Sequence, residues 1–143
     1  MTSPHNLLNP KHWRPARGYA YGVSAAGRLI FTGGMTGWNA KHVFESDDFV
    51  AQTAQTLRNI VEVLACGGAG PEHLVRLTWY VTDKHEYLAR LKELGGVYQA
   101  VIGPHYPAMA LVQVTALVED RAKVEIEATA VVPPKVPPDA GAI

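Results

Sequence analysis

The sequence predicts an α+β fold, a mixed β-sheet with two helices packed on one of its faces. Apolar residues recur at helical spacing in two separate stretches and alternate with period two in the stretches around them. The resulting chain order is strand, strand, helix, strand, helix, strand, strand. With 143 residues, 48% apolar and 18% charged, the chain can bury one core without disulfides or metals.

Residues 1–18 are rich in Pro, basic and polar residues, with Trp13 as an apolar anchor, and read as an arm lying over the surface. Residues 19–133 read as the single domain. Large and small residues alternate from Tyr19 to Ala25, Leu29–Thr32 is a second short apolar run, and Ala26-Gly27 can supply the tight turn of a hairpin. Gly33-Gly34-Met35-Thr36-Gly37-Trp38 then breaks regular structure. Ser46, Asp47 and Asp48 offer N-cap oxygens to the first helix. Its buried stripe is Phe49, Thr53, Leu57, Ile60 and Leu64, its wet side Gln52, Gln55, Arg58 and Glu62, and Gly67-Gly68 ends it.

Leu74–Thr82 reads as a strand with Val75, Leu77, Trp79 and Val81 on one face and Arg76, Thr78, Tyr80 and Thr82 on the other. Asp83 and Glu86 fit a capping box opening the second helix, whose stripe is Leu88, Leu91, Leu94 and Tyr98. Gly95-Gly96 within it predicts close packing or a local break, because each glycine costs about 1 kcal/mol relative to alanine. Pro104 and Pro107 confine a loop before two closing strands, near 108–118 and 123–132. The Pro-rich stretch 134–143 reads as a disordered tail.

Two helices cover one face of such a sheet. With Ala110, Val112, Val114 and Ala116 placed beneath them, the other face carries Met109, Leu111, Gln113, Thr115 and Leu117, beside Glu125, Glu127 and Thr129 and beside Arg76, Thr78 and Tyr80. A face so mixed is suited to contact between subunits, which predicts self-association.

Cys66 is the one cysteine, the six histidines are scattered, and no spacing fits a metal site or calls for a cofactor. Cys66 falls at a helix C-terminus, where the dipole disfavours a thiolate, and reads as packing. Zero formal net charge argues against nucleic acid as a partner. No membrane-spanning apolar run and no signal-peptide layout are present, so the cytoplasm is the expected compartment. Of the groups able to carry chemistry, Glu125 and Glu127 share a face beside Arg76, either as an interface ion pair or as a general base that positions a water. His105 stands in a loop as an acid or base near neutral pH, or as a solvated histidine. The glycines at 33–37 are either a bend or backbone N–H groups offered to an anion.

These residues together resemble the reactive-intermediate-deaminase (Rid, YjgF-type) family from about Tyr19 to Pro133. The matching stretches are Gly18-Tyr19, Leu29-Ile30-Phe31-Thr32-Gly33-Gly34, Ala51 through Ile60, Val75 through Val81, Pro107-Ala108 and Val124-Glu125-Ile126-Glu127-Ala128. The resemblance implies a chorismate-mutase-like fold, a homotrimer, and small-molecule clefts between adjacent subunits. Deaminating members hold enamines or imines of 2-amino acids, which water hydrolyses to 2-oxo acids and ammonia. In them an arginine follows the Pro-Ala pair and grips the substrate carboxylate.

Here that residue is Met109, which cannot pair with a carboxylate, and the often-cysteine position two further on is Leu111. Glu125 matches the water-positioning glutamate, Tyr19 the cleft tyrosine, and Gly34 keeps its backbone amide. The loop before Pro107 is shorter and has no counterpart of the cleft asparagine, leaving His105 and Tyr106 there. A cleft with Tyr19, Tyr21, Trp38, Met109 and Leu111 suits a larger, more apolar ligand. The expectation is a deaminase-like C–N hydrolase of altered specificity with Glu125 as the catalytic residue. The alternative is a non-catalytic metabolite-binding trimer; an RNA-acting translation inhibitor is disfavoured by the charge.

Overall fold

The structure, a computed structural model, describes residues 3–135. All but the first two residues of the expected tail therefore lie outside the described residues. The first strands are β1 (Asn6–Leu7), β2 (Val23–Ser24), β3 (Arg28–Phe31) and β4 (Met35–Thr36). Helix α1 (Phe49–Cys66) follows, then β5 (Leu74–Val81), α2 (Lys84–Ala89), α3 (Leu91–Val101), β6 (Ala108–Gln113) and β7 (Val124–Val132). The main sheet runs β3-β7-β5-β6, with β4 also paired to β7. β6 joins β5 in parallel, as a crossover through α2 and α3 requires, and the other pairings are antiparallel.

α1 forms as its spacing predicts. The Asp48 carboxylate accepts the Ala51 N–H at 3.0 Å, and Gly67 closes the last turn. Phe49, Thr53, Leu57, Ile60 and Leu64 are 0–2% exposed and lie on β7 and β5, where Leu77, Val81, Val124 and Ile126 are fully buried. Gln52 departs from its expected place on the wet side and is 1% exposed. Its amide is fully satisfied, donating to the Ser46 and Arg121 carbonyls at 3.0 and 2.9 Å and accepting the Lys123 N–H at 2.9 Å. A buried amide with all its partners carries little penalty, and this one ties the helix start to the entry of β7.

The expected hairpin of Tyr19–Ala25 with Leu29–Thr32 does not form. β2 pairs with β1 from the arm, and β3 pairs with β7. Gly27 redirects the chain: its φ is +146°, and a Cβ there would stand 2.1 Å from the Val132 carbonyl oxygen. The turn therefore seats against the end of β7 and delivers β3 to that strand, a partner distant in sequence.

The second helix is two helices, so three pack on the sheet where two were expected. The break falls at Arg90 (φ −122°, ψ 26°), whose guanidinium forks to Asp48 at 2.5 Å and Glu93 at 2.6 Å. Gly95 and Gly96 lie inside α3, and a Cβ on either would meet nothing within 4 Å, so neither close packing nor a break occurs there. Asp83 caps α2 by accepting from the His85 and Glu86 N–H groups. The Glu86 carboxylate stands 3.9 Å from the Lys123 amine. Of the expected stripe, Leu94 and Tyr98 are buried, whereas Leu88 and Leu91 are 57% and 49% exposed.

The face assignment of β6 is inverted by one residue. Met109 lies opposite Leu77 and Leu111 opposite Trp79, so both point toward the helices, and Ala108, Ala110 and Val112 point to the open face. β7 follows its pattern, with Val124, Ile126 and Ala128 buried while Glu125 and Glu127 stand opposite Tyr80 and Thr78. The open face carries exposed Leu29, Phe31 and Val112 beside these polar groups.

The two glycine environments have opposite consequences for stability. Gly27→Ala should destabilise the fold by more than about 1 kcal/mol, because both the positive φ and the Val132 carbonyl exclude a Cβ. Gly96→Ala should stabilise it by up to about 1 kcal/mol through helix propensity. Denaturant unfolding of the two variants checks both signs.

Candidate functional site

Where β6 forms the sheet edge, a groove of about 550 Å³ opens between that strand and helices α2 and α3. Trp79, Met109 and Leu111 line it from the sheet, Tyr87, Leu88, Leu91, Leu94 and Tyr98 from the helices. Arg17, Gly18 and Tyr19 close it from the arm, and Tyr106 from the loop before β6. The arm reaches this point because Ala20 bridges Ala108 in parallel and its N–H donates to the Pro107 carbonyl at 3.0 Å. Pro107 cannot itself extend the ladder as a donor, but its carbonyl can anchor a passing chain.

Three aromatic rings hold the arm in place. Trp13 meets Tyr21 edge-on at 5.0 Å, Tyr21 meets Tyr19 edge-on at 5.5 Å, and the Tyr21 hydroxyl donates to the Arg14 carbonyl at 2.7 Å. Tyr21 thus braces the arm, and Tyr19 faces the groove. Trp38 does not line it either: its indole stacks on His42 at 4.1 Å and packs near Phe44.

His105 is turned inward, 9% exposed, with Nδ1 buried and without a partner and its carbonyl accepting the Tyr98 hydroxyl. Burial pushes its pKa below the ordinary histidine value. The ring is therefore held neutral and does not line the groove, and it is the backbone carbonyl of His105 that supports Tyr98. Burial likewise pushes the Tyr98 phenol upward, so that it stays a donor.

The second cluster lies on the open face of the sheet. Glu125 is half-buried on β7 opposite Thr36 of β4 and Tyr80 of β5, and its carboxylate has no hydrogen-bond or ion-pair partner among the described residues. Glu127 differs, accepting the Tyr80 hydroxyl at 2.9 Å, a bond that raises the Tyr80 pKa. Within the chain Arg76 pairs with neither glutamate and lies opposite Thr129. Gly34 is pressed against Glu125, and a Cβ there would stand 2.7 Å from Oε2. Only glycine leaves this carboxylate in place, which is the requirement behind one glycine of the 33–37 run.

Within the chain, then, Tyr19, Met109 and Leu111 come together on the helix side of the sheet, and Gly34 and Glu125 come together on the other. Tyr21, Trp38 and His105 join neither. Sequence reasoning missed Arg17, Tyr87, Leu88 and Leu91 as groove residues, although the exposed leucines belong to a stripe it had identified.

The sequence model described as endoribonuclease L-PSP matches residues 10–132. The chain is 37% identical over 107 residues to protein DfrA of Myxococcus xanthus, covering 74% of this chain and 78% of that protein. It is 31% identical over 116 residues to the 2-iminobutanoate/2-iminopropanoate deaminase of Escherichia coli, covering 79% and 86%. Its fold is similar to the crystal structure of a Rid-family protein from Yersinia pestis, with a TM-score of 0.80 at 32% identity over 90% of this chain and 98% of that one.

The buried imidazole gives a pH dependence with a fixed sign. A folded-state pKa below the unfolded one supplies stability that is complete above the unfolded value, near 6.5, and is lost as the pH falls through the folded value. Denaturant unfolding at pH 7.5 and pH 5.5 should show the protein weaker at the lower pH and the His105→Asn variant less dependent on pH; equal dependence in both would assign the effect elsewhere.

Proposed function

Because the chain belongs to the endoribonuclease L-PSP family, the Rid or YjgF-type proteins with their chorismate-mutase-like fold, we propose that it is a C–N hydrolase of imines or enamines with a large apolar substituent. The unpartnered Glu125 carboxylate, seated against Gly34 on an open sheet face, carries this reading. A carboxylate free of internal partners can accept a proton from water as that water attacks an imine carbon. Glu125 passes that proton to the nitrogen, giving the carbinolamine, and then takes the remaining hydroxyl proton and delivers it to the nitrogen as the C–N bond breaks and the carbonyl forms. The products are a carbonyl compound and ammonia.

The groove supplies binding. Met109 removes the carboxylate grip that the deaminating pattern has next to Pro-Ala, and the aromatic and leucine wall favours burial of an apolar body instead. Glu125 and the groove stand on opposite faces of one sheet, so the reaction requires a neighbouring protomer. A homotrimer is the proposed assembly, each cleft taking its groove from one subunit and its glutamate from the next. The exposed Leu29, Phe31 and Val112 on the open face support such a contact.

Met109 also favours a second reading, in which the same cleft binds a metabolite without turning it over. Binding of an aromatic 2-oxo acid with no ammonia release would select it.

Ammonia release from imines made in situ by an amino-acid oxidase tests the proposal. Aromatic and branched substrates should be accelerated more than alanine, and Glu125→Gln should lower the rate by about a hundredfold or more. Met109→Arg should shift preference toward small imino acids by restoring a bidentate donor. No acceleration with any substrate would overturn the hydrolase reading.

A further inference from the structure

Of the thirteen described residues that line the groove, Arg17 is the only charged one. The others are apolar, aromatic or glycine, so any anionic group on an occupant has one cationic partner there among the described residues. Arg17 also lines, with Arg14, Pro15 and Tyr19, an adjoining hollow of about 370 Å³, so the two cavities meet at Arg17 and Tyr19. Arg90 and Arg121 are ion-paired and Arg28 donates to the Gly67 carbonyl. The Arg14 and Arg17 guanidiniums have no side-chain partner among the described residues; Arg76, also unpaired, lies away from the groove on the open face of the sheet.

The backbone that carries them is held in place. The Tyr21 hydroxyl holds the Arg14 carbonyl, the edge-on Trp13, Tyr21 and Tyr19 rings brace the segment, and Ala20 is bridged to Ala108 at the start of β6. Two neighbouring cations with no internal counter-ion leave a local positive potential at the groove mouth, which an anion relieves. Met109, the position from which the deaminating pattern projects its arginine, lines the same groove.

We propose that Arg17, with Arg14 behind it, is the carboxylate subsite of this groove: the cation has moved from the sheet to the arm. The occupant is a 2-imino or 2-oxo acid whose carboxylate lies at the mouth on Arg17 and whose aromatic or branched side chain lies along Trp79, Leu88, Leu91 and Met109. This deepens the function proposed above and rests on its assignment of the groove as the binding site. Arg17 acts as a binding residue and takes no part in proton transfer.

Calorimetric titration of the full-length protein with phenylpyruvate and with its uncharged methyl ester tests the subsite. Phenylpyruvate should bind, more weakly at 500 mM than at 50 mM salt. Arg17→Gln should weaken it about tenfold, as loss of a charge-assisted bond does. Arg17→Lys should recover part of that loss, and Arg14→Gln should cost less than Arg17→Gln. The ester should bind wild type and Arg17→Gln within about twofold of each other, which also reports an intact groove. Phenylpyruvate affinity unchanged by Arg17→Gln, with the ester still binding, would overturn the subsite and leave the groove standing. Failure of both compounds to bind would overturn both. Arg17-dependent binding without ammonia release from the matching imine would uphold the subsite and overturn only the hydrolase reading.

Discussion

β6 lies parallel to β5 with Met109 opposite Leu77 and Leu111 opposite Trp79, and because side chains alternate along a strand, that register separates the candidate site into two halves. A shift by one residue would put Met109 on the open face with Glu125 and place Ala110 and Val112 beneath the helices. In the observed register the core gains Met109 and Leu111 against Trp79 and Leu94, and the edge groove becomes an extension of the core. The same alternation along β7 buries Val124 and Ile126 and turns Glu125 outward. The sheet thus stands between the groove and the carboxylate, and the proposed cleft therefore draws them from two subunits.

The chemistry of each half follows from what surrounds it. Gly34 keeps the Glu125 carboxylate clear where any larger residue would displace it. On the helix side a buried arginine at position 109 would need an anion to offset its desolvation, whereas methionine fits the apolar wall without one. For the charged occupant proposed above, a groove without that cation requires one elsewhere. The arm, bridged to the first residue of β6, is the segment placed to supply it.

Much of this was legible in the sequence. Periodicity and caps located α1, β5 and β7, and the stretches around Gly34, Pro107 and Glu125 pointed to the family that the comparisons support. What escaped was non-local. The hairpin expected at Ala26-Gly27 lost to the pairing of β3 with β7, a strand about a hundred residues away. The β6 face was misjudged because a run of Ala, Met, Ala, Leu and Val is apolar in both phases, so only the register with β5 could fix it. Gln52 reads as a surface residue by type, and two of its three partners, Arg121 and Lys123, lie on a segment that reaches it only after folding. Arg17 gave no signal beyond its nearness to Tyr19, since the Ala20 to Ala108 bridge that brings it to the groove joins opposite ends of the chain.

The division of the site between protomers is tested most directly by subunit complementation, using two variants that are each inactive in imine hydrolysis. One is Glu125→Ala, which lacks the carboxylate; the other is Met109→Trp, which fills the groove. If each cleft takes its groove from one subunit and its glutamate from the next, co-folding the two in equal amounts leaves about a quarter of the clefts with both halves intact, and activity returns to about that fraction of wild type. Mixtures that stay inactive, although mixed oligomers form and wild type is active, would contradict the account by placing both halves of the site within a single chain.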